Sequence, residues 1–125
     1  MATELKVLQV SLEDRSGALA EVAGAIAEAG VNIEAVLAYS VGGQTEAHLA
    51  FADGEAARSA LEAAGHRVAG ERNAFVVQME DRVGALAELT QRLAGAGVNL
   101  SLTHLATNNR LLLSADDEGT LRSLV

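Results

Sequence analysis

The residues of this chain best suited to chemistry sit in one short motif that occurs twice: Glu13-Asp14-Arg15-Ser16-Gly17-Ala18-Leu19 and Glu80-Asp81-Arg82-Val83-Gly84-Ala85-Leu86. The glycine permits a sharp turn and lets another group approach the backbone closely. The apolar pattern that follows each motif is helical, so unpaired N–H groups and the positive end of a helix dipole face the loop. That arrangement suits a small anion such as a carboxylate. Asp14 and Asp81 stand beside it as acceptors for an ammonium. Donors for a carboxylate and acceptors for an amine together suit a free amino acid. Aspartate and glycine are equally ordinary as cap and turn residues at a helix start. The residues alone leave both readings open. Asn32 and Asn99 pose the same choice between a ligand contact and a turn. Arg15 and Arg82 either pair with a carboxylate or remain solvated beside their acidic neighbours.

The elements that must hold these loops repeat with them. Residues 13–35 align with residues 80–102 at a constant shift of 67, and 13 of the 23 pairs are identical. A period of this length suits a small folded module more than a solenoid turn. Before each loop, Leu8, Val10 and Leu12, and again Phe75, Val77 and Met79, alternate with more polar positions. That is the period of a half-buried strand. After each loop, Leu19, Val22 and Ile26, then Leu86, Leu89 and Leu93, form the apolar stripe of a helix. Gly30 and Gly97 end those helices.

Second strands open at Val31-Asn32-Ile33 and Val98-Asn99-Leu100 and run to about Val41 and Thr107. Gly42-Gly43 and Asn108-Asn109 are two-residue hairpin signals. Third strands follow over 45–52 and 111–115, then a helix over 55–64 with Ala57, Leu61 and Ala64 inward. A short strand at 66–69 precedes the linking residues Glu71-Arg72-Asn73. Asp116-Asp117-Glu118 reads as a cap before a final helix.

The order is that of an α+β protein with two tandem ferredoxin-like βαββαβ modules, residues 1–70 and 71–125, helices on one face of antiparallel sheets. The second module lacks its last strand, and the sheet edge beside that gap must be short, covered or paired. Units near 60 residues are marginal alone, so the copies are expected to pack on one another or on a second chain.

A formal charge of −8 disfavours nucleic acid and anionic membranes. There is no cysteine, no signal-peptide pattern and no apolar run of membrane-spanning length. A soluble, cytoplasmic protein is the expectation. His48, His66 and His104 are far apart and non-equivalent, so no metal site is expected. No nucleophile–base set, phosphate loop or other cofactor motif stands out, so neither cofactor nor catalysis is expected.

A strand ending in an acidic-x-x-Gly-Ala-Leu-Ala loop, a helix, then Ala-Gly-Val-Asn-Ile or Ala-Gly-Val-Asn-Leu, resembles the ACT domain over essentially the whole chain, as two modules. The resemblance implies a regulatory binder of amino acids, with the ligand held between modules by a glycine loop and a neighbouring strand edge. Carried onto this sequence, it nominates Asp14, Ser16, Gly17, Ala18, Leu19, Asn32 and Ile33, with Asp81, Val83, Gly84, Ala85, Leu86, Asn99 and Leu100. Ser16 and Val83 stand where many members have proline, which implies a less rigid loop. Residues 14–36 also resemble the small subunit of acetolactate synthase, which implies a regulatory subunit acting by contact with an amino-acid biosynthetic enzyme.

The sheet face away from the helices presents Val7, Gln9, Ser11, Val36, Ala38, Ser40, Val76 and Gln78. These are small and mostly uncharged, unlike a solvated surface. The expectation is a homodimer through that open face, with a different protein partner as the alternative.

Overall fold

Two strand–loop–helix units dictate the architecture of the computed structural model, which describes residues 3–125. In chain order the elements are β1 (Thr3–Glu13), α1 (Ala18–Glu28), β2 (Ala35–Val41), β3 (Gln44–Phe51), α2 (Gly54–Ala63) and β4 (Val68–Gln78). They continue with α3 (Ala85–Gly95), β5 (Leu100–Leu105), a 3₁₀ turn at Thr107–Asn109, β6 (Arg110–Ala115) and α4 (Glu118–Leu124). The chain divides into one unit of Leu5–Arg72 and a second of Asn73–Val125 that also takes in Thr3 and Glu4. The fold is α+β, and the strand pairings within each unit are antiparallel.

In the first unit the strand order is β2-β3-β1. Leu8, Val10 and Leu12 of β1 alternate inward and meet Ala47, Leu49 and Phe51 of β3 under Val22, Ile26, Ala57 and Leu61 from the two helices. Both helices therefore cover one face of this sheet. The second unit repeats the scheme in the order β4-β6-β5, with Phe75, Leu111 and Leu113 under Leu89, Leu93 and Leu121. Phe51 and Phe75, the chain's two phenylalanines, are the largest fully buried side chains and anchor one core each.

Turn chemistry follows the sequence. Gly42 and Gly43 sit at φ 58° and 82°, Asn108 and Asn109 at 58° and 56°, the positive-φ pair that a tight hairpin needs. Asp53 and Asp117 cap α2 and α4, accepting from the backbone N–H groups of Ala56 at 3.1 Å and Thr120 at 3.0 Å. At the ends of α1 and α3 the N–H groups of Val31 and Val98 reach back to Ile26 O at 3.2 Å and Leu93 O at 3.0 Å, the six-to-one closure of a glycine-terminated helix.

Several expectations need correction. The strand placed at 66–69 and the one before the second loop are a single strand, β4, which runs through Glu71-Arg72-Asn73. Nothing in that tripeptide forces a turn, so the chain stays extended. The second strands begin only at Ala35 and Leu100. Ala64, expected inward, is the exposed C-cap residue of α2. Thr3 and Glu4 of β1 join the unit that lacks a last strand, and Glu4 pairs with Arg122 of α4 at 3.6 Å. Finally, the sheet face away from the helices is partly withdrawn from solvent. Val7, Ala50 and Ala35 share one rung and are buried, and so is Leu112, the rung partner of half-buried Val76. Of the residues expected to form that face, Val36, Ala38 and Ser40 are in register with Leu49, Ala47 and Thr45, and so with Leu8, Val10 and Leu12, which puts them on the helix side of the sheet at its edge. Ser11 and Gln78 remain exposed.

Truncating a core anchor tests this packing. Phe51→Ala is expected to lower unfolding free energy by about 3–5 kcal/mol, measured by urea denaturation. A Val83→Ser change at a fully exposed side chain is expected to stay within roughly 0.5 kcal/mol of wild type.

Candidate functional site

Each glycine loop is a left-handed bend that sets a helix end-on to a strand. Gly17 and Gly84 have φ of 88° and 89° and occupy the N-cap positions of α1 and α3, with no side-chain cap. A residue with a Cβ is strained at such an angle by roughly 1–2 kcal/mol, which accounts for glycine at both places. The first helical bonds close from Glu21 N–H to Gly17 O and from Glu88 N–H to Gly84 O, each at 3.0 Å. The N–H groups of Leu19 and Ala20, and of Leu86 and Ala87, precede that closure and have no helical acceptor by geometry.

The bend also reorders the apolar stripe. Ala18, Val22 and Ile26 face the first core, so Leu19 is left 41% exposed at the loop. Leu86 is 46% exposed above buried Leu89 and Leu93. A small residue begins the inward stripe because the turn brings the helix start close to the sheet. Leu19 and Leu86, expected inside, are instead apolar surface beside the candidate site.

The loop arginines are braced. Arg15 donates from Nε to Glu13 at 3.0 Å and from Nη2 to the two Glu21 oxygens at 3.1 and 2.9 Å. Arg82 repeats this with Glu80 at 2.7 Å and Glu88 at 3.1 and 2.6 Å. The hydrogen bonds, and then the charge, of these arginines hold the Glu21 and Glu88 carboxyls below their ordinary range. The same bonds raise both guanidinium pKa values. Each arginine is thus occupied by its own chain, and the positive charge nearest each helix start is largely neutralised. Glu21 and Glu88 are not among the residues that the sequence nominates for the site. The signal was present: Glu13, Arg15 and Glu21 recur together at 80, 82 and 88.

The structure gathers the nominated residues unevenly. A cleft of about 240 Å³ joins Asp81, Gly84, Ala85 and Leu86 to Met79, Leu105 and Asn109. At roughly 30 Å³ per water, that is space for a small metabolite. Another cleft, of about 210 Å³, lies on the Arg82–Glu88 side and includes Ala85, Leu89 and Arg92. In the first unit a cleft of about 270 Å³ lies on the Arg15–Glu21 side, with Ala18, His66 and Arg67 in its wall. Asp14 accepts from Ser40 Oγ at 3.1 Å, and Ser16 is exposed next to it. Asn32 donates to Glu34 at 2.7 Å, and Asn99 is exposed. Ile33 and Leu100 pack against the two cores. Met79, Leu105 and Asn109 were missed because a cleft wall built across strands has no local sequence signature.

No group of three or more potential metal ligands occurs among the described residues. His48 stacks on Tyr39 with ring centroids 6.1 Å apart. No described helix is long and apolar enough to cross a membrane.

The braces set a pH dependence. A carboxyl held low in the folded state stabilises it fully above the unfolded value near 4.5, and the contribution is lost as pH falls through the lowered value. Wild-type protein is therefore expected to lose more stability than the Glu21→Gln/Glu88→Gln double variant on acidification below about pH 4.5, measured by urea midpoints across that range. Parallel pH curves would count against the braces.

Residues 6–63 match the ACT domain. No curated protein matches the sequence. Among solved structures, a protein from Bacteroides thetaiotaomicron superposes with a TM-score of 0.86 at 22% identity, covering 98% of this chain and 87% of that one. The regulatory subunit of aspartate kinase from Thermus flavus superposes with a TM-score of 0.68 at 18% identity, covering 99% of this chain and 92% of that one. The aspartate kinase of Synechocystis gives 0.68 at 15% identity, covering 98% of this chain and 24% of that one. An ACT domain therefore occupies residues 6–63, and the described chain as a whole shares its α+β fold with these crystal structures.

Proposed function

We propose that this protein is a non-catalytic regulatory binder built of two ACT-type modules in tandem, residues 1–70 and 71–125, and that its ligand is an amino acid or a close relative. One observation carries the reading. The same left-handed glycine ends the approach to a helix in both repeats and leaves uncapped N–H groups at a loop that also carries an aspartate. A ligand carrying both charges suits this setting better than a simple anion. The arginines are already matched by glutamates, so a lone anion would meet the dipole end of the helix and little else. The ACT match over residues 6–63 supports the reading. So does a fold shared with a regulatory subunit of aspartate kinase.

The partner surface in this reading is the edge strand β2. Val36, Leu37, Tyr39 and Val41 are between 39% and 61% exposed there, and the strand AVLAYSV has no charge and no proline. Natural edges are usually blunted by such residues. Two copies of an uncharged strand can meet without the repulsion that a net charge of −8 otherwise brings. A homodimer along this edge replaces pairing through the sheet face, whose centre is already buried. The same edge serves the alternative, a regulatory subunit docked on a biosynthetic enzyme.

Thermal-shift and calorimetric titration against the twenty common amino acids tests the ligand. At one hundred times the dissociation constant, a true ligand is expected to add about 2.7 kcal/mol of stability. The absence of a shift with all twenty would overturn the amino-acid reading.

A further inference from the structure

We infer that the two glycine loops have separate jobs: the second is the ligand seat, and the first is a structural joint closed by Ser40. The inference rests on the amino-acid reading for its ligand, but its structural part stands on four differences between the repeats.

The first difference is hairpin length. β1 and β3 stay paired out to Glu13↔Gln44. The equivalent pairing of β4 with β6 ends at Gln78↔Arg110, because the second hairpin turns back at Asn108-Asn109. The first hairpin therefore extends alongside its glycine loop, whereas the second stops short of its own. The second difference follows from the first. Ser40, on the longer hairpin, donates to Asp14 Oδ1 at 3.1 Å and lies 3.2 Å from Thr45 Oγ1, its rung partner. Thr107 stands at the position equivalent to Ser40, but its Oγ1 accepts from Arg110 Nη2 at 2.8 Å, and its carbonyl accepts from Arg110 Nε at 3.1 Å.

The third difference is over the glycines. Arg15 Nη1 donates to Ser16 O at 3.3 Å and lies 3.9 Å from the point where a Cβ on Gly17 would stand. In the second loop both terminal nitrogens of Arg82 hold Glu88, and nothing comes within 4 Å of the same point on Gly84 among the described residues. The fourth is the cleft itself. The shortened hairpin leaves Leu105, 58% exposed, facing Leu86 across the space beside Asp81 and Gly84. Asn109 closes one end, its carbonyl accepting from Met79 N–H at 2.9 Å.

The chemistry of the second loop then selects among zwitterions. Asp81 takes the ammonium, the free N–H groups of Leu86 and Ala87 take the carboxylate, and Leu86 and Leu105 flank an aliphatic side chain. The ligand class is an α-amino acid with a small aliphatic side chain, bound once per chain.

Two measurements test this separately. Calorimetric titration with L-valine, L-leucine and glycine is expected to give one equivalent per chain for L-valine or L-leucine, weakened at least tenfold by Asp81→Asn. Two equivalents per chain, or full affinity in Asp81→Asn, would overturn the division of labour while leaving the amino-acid reading intact. No binding by any of the three would remove the ligand assignment of the second loop. Amide hydrogen exchange without ligand then decides the joint. Residues 14–18 are expected to exchange more slowly than residues 81–85 in wild type, and at least tenfold faster in Ser40→Ala than in wild type. Equal exchange in the two loops, or no change in Ser40→Ala, would overturn the joint.

Discussion

The fold and the candidate site depend on one backbone constraint, a residue with φ near 90° between a strand and a helix. Only glycine adopts that angle without strain, and the bend leaves no room for a gradual entry into the helix. The helix starts abruptly, its first turn lies low on the sheet, and an alanine rather than a leucine begins its inward stripe. The displaced leucine, Leu19 or Leu86, then stands beside the unsatisfied N–H groups. Core packing and a mixed polar and apolar surface thus share one local cause. The two are not separable by mutation at that glycine.

Electrostatics around the bend work by cancellation. A helix start attracts anions, but Glu21 and Glu88 direct their carboxylates at the loop arginines and neither helix start has a side-chain cap. The two glutamates lie in the first turn and clasp Arg15 and Arg82 together with Glu13 and Glu80. Exposed ion pairs of this kind contribute little individually to stability. Their larger effect is geometric, since two carboxylates fix the plane of each guanidinium. The repeats differ in one contact: Arg15 Nη1 lies 3.9 Å from where a Cβ on Gly17 would stand, and nothing lies within 4 Å of that point on Gly84 among the described residues.

Much of the fold was legible in the sequence because local signals agreed with one another. Alternation in Leu8, Val10 and Leu12, the paired glycines and asparagines of the hairpins, and the acidic cap before α4 each rest on short-range physics that tertiary context did not override. The acidic loops and their glycines were legible for the same reason, reinforced by repetition. What failed was set by contacts distant in sequence. The burial of Val7 and Leu112 depends on what reaches a sheet face, which alternation does not encode. The role of Leu105 and Asn109 depends on a hairpin shortened relative to its twin, visible only through strand register. The continuous strand β4 escaped notice because a repeat boundary was taken for a break in the backbone, although nothing in Glu71-Arg72-Asn73 demands one.

Glu4 meets Arg122 of α4 far along the sequence, and the opening residues of β1 belong to the unit formed by Asn73–Val125. During synthesis that segment emerges well before α4 and waits for it. Its docking carries the loop-closure entropy of the chain between Glu4 and Arg122, which places it among the late and slow steps of folding. The amino-terminal segment is therefore a fastening for the carboxy-terminal half, and lengthening or masking it acts first on the module farthest from it in sequence.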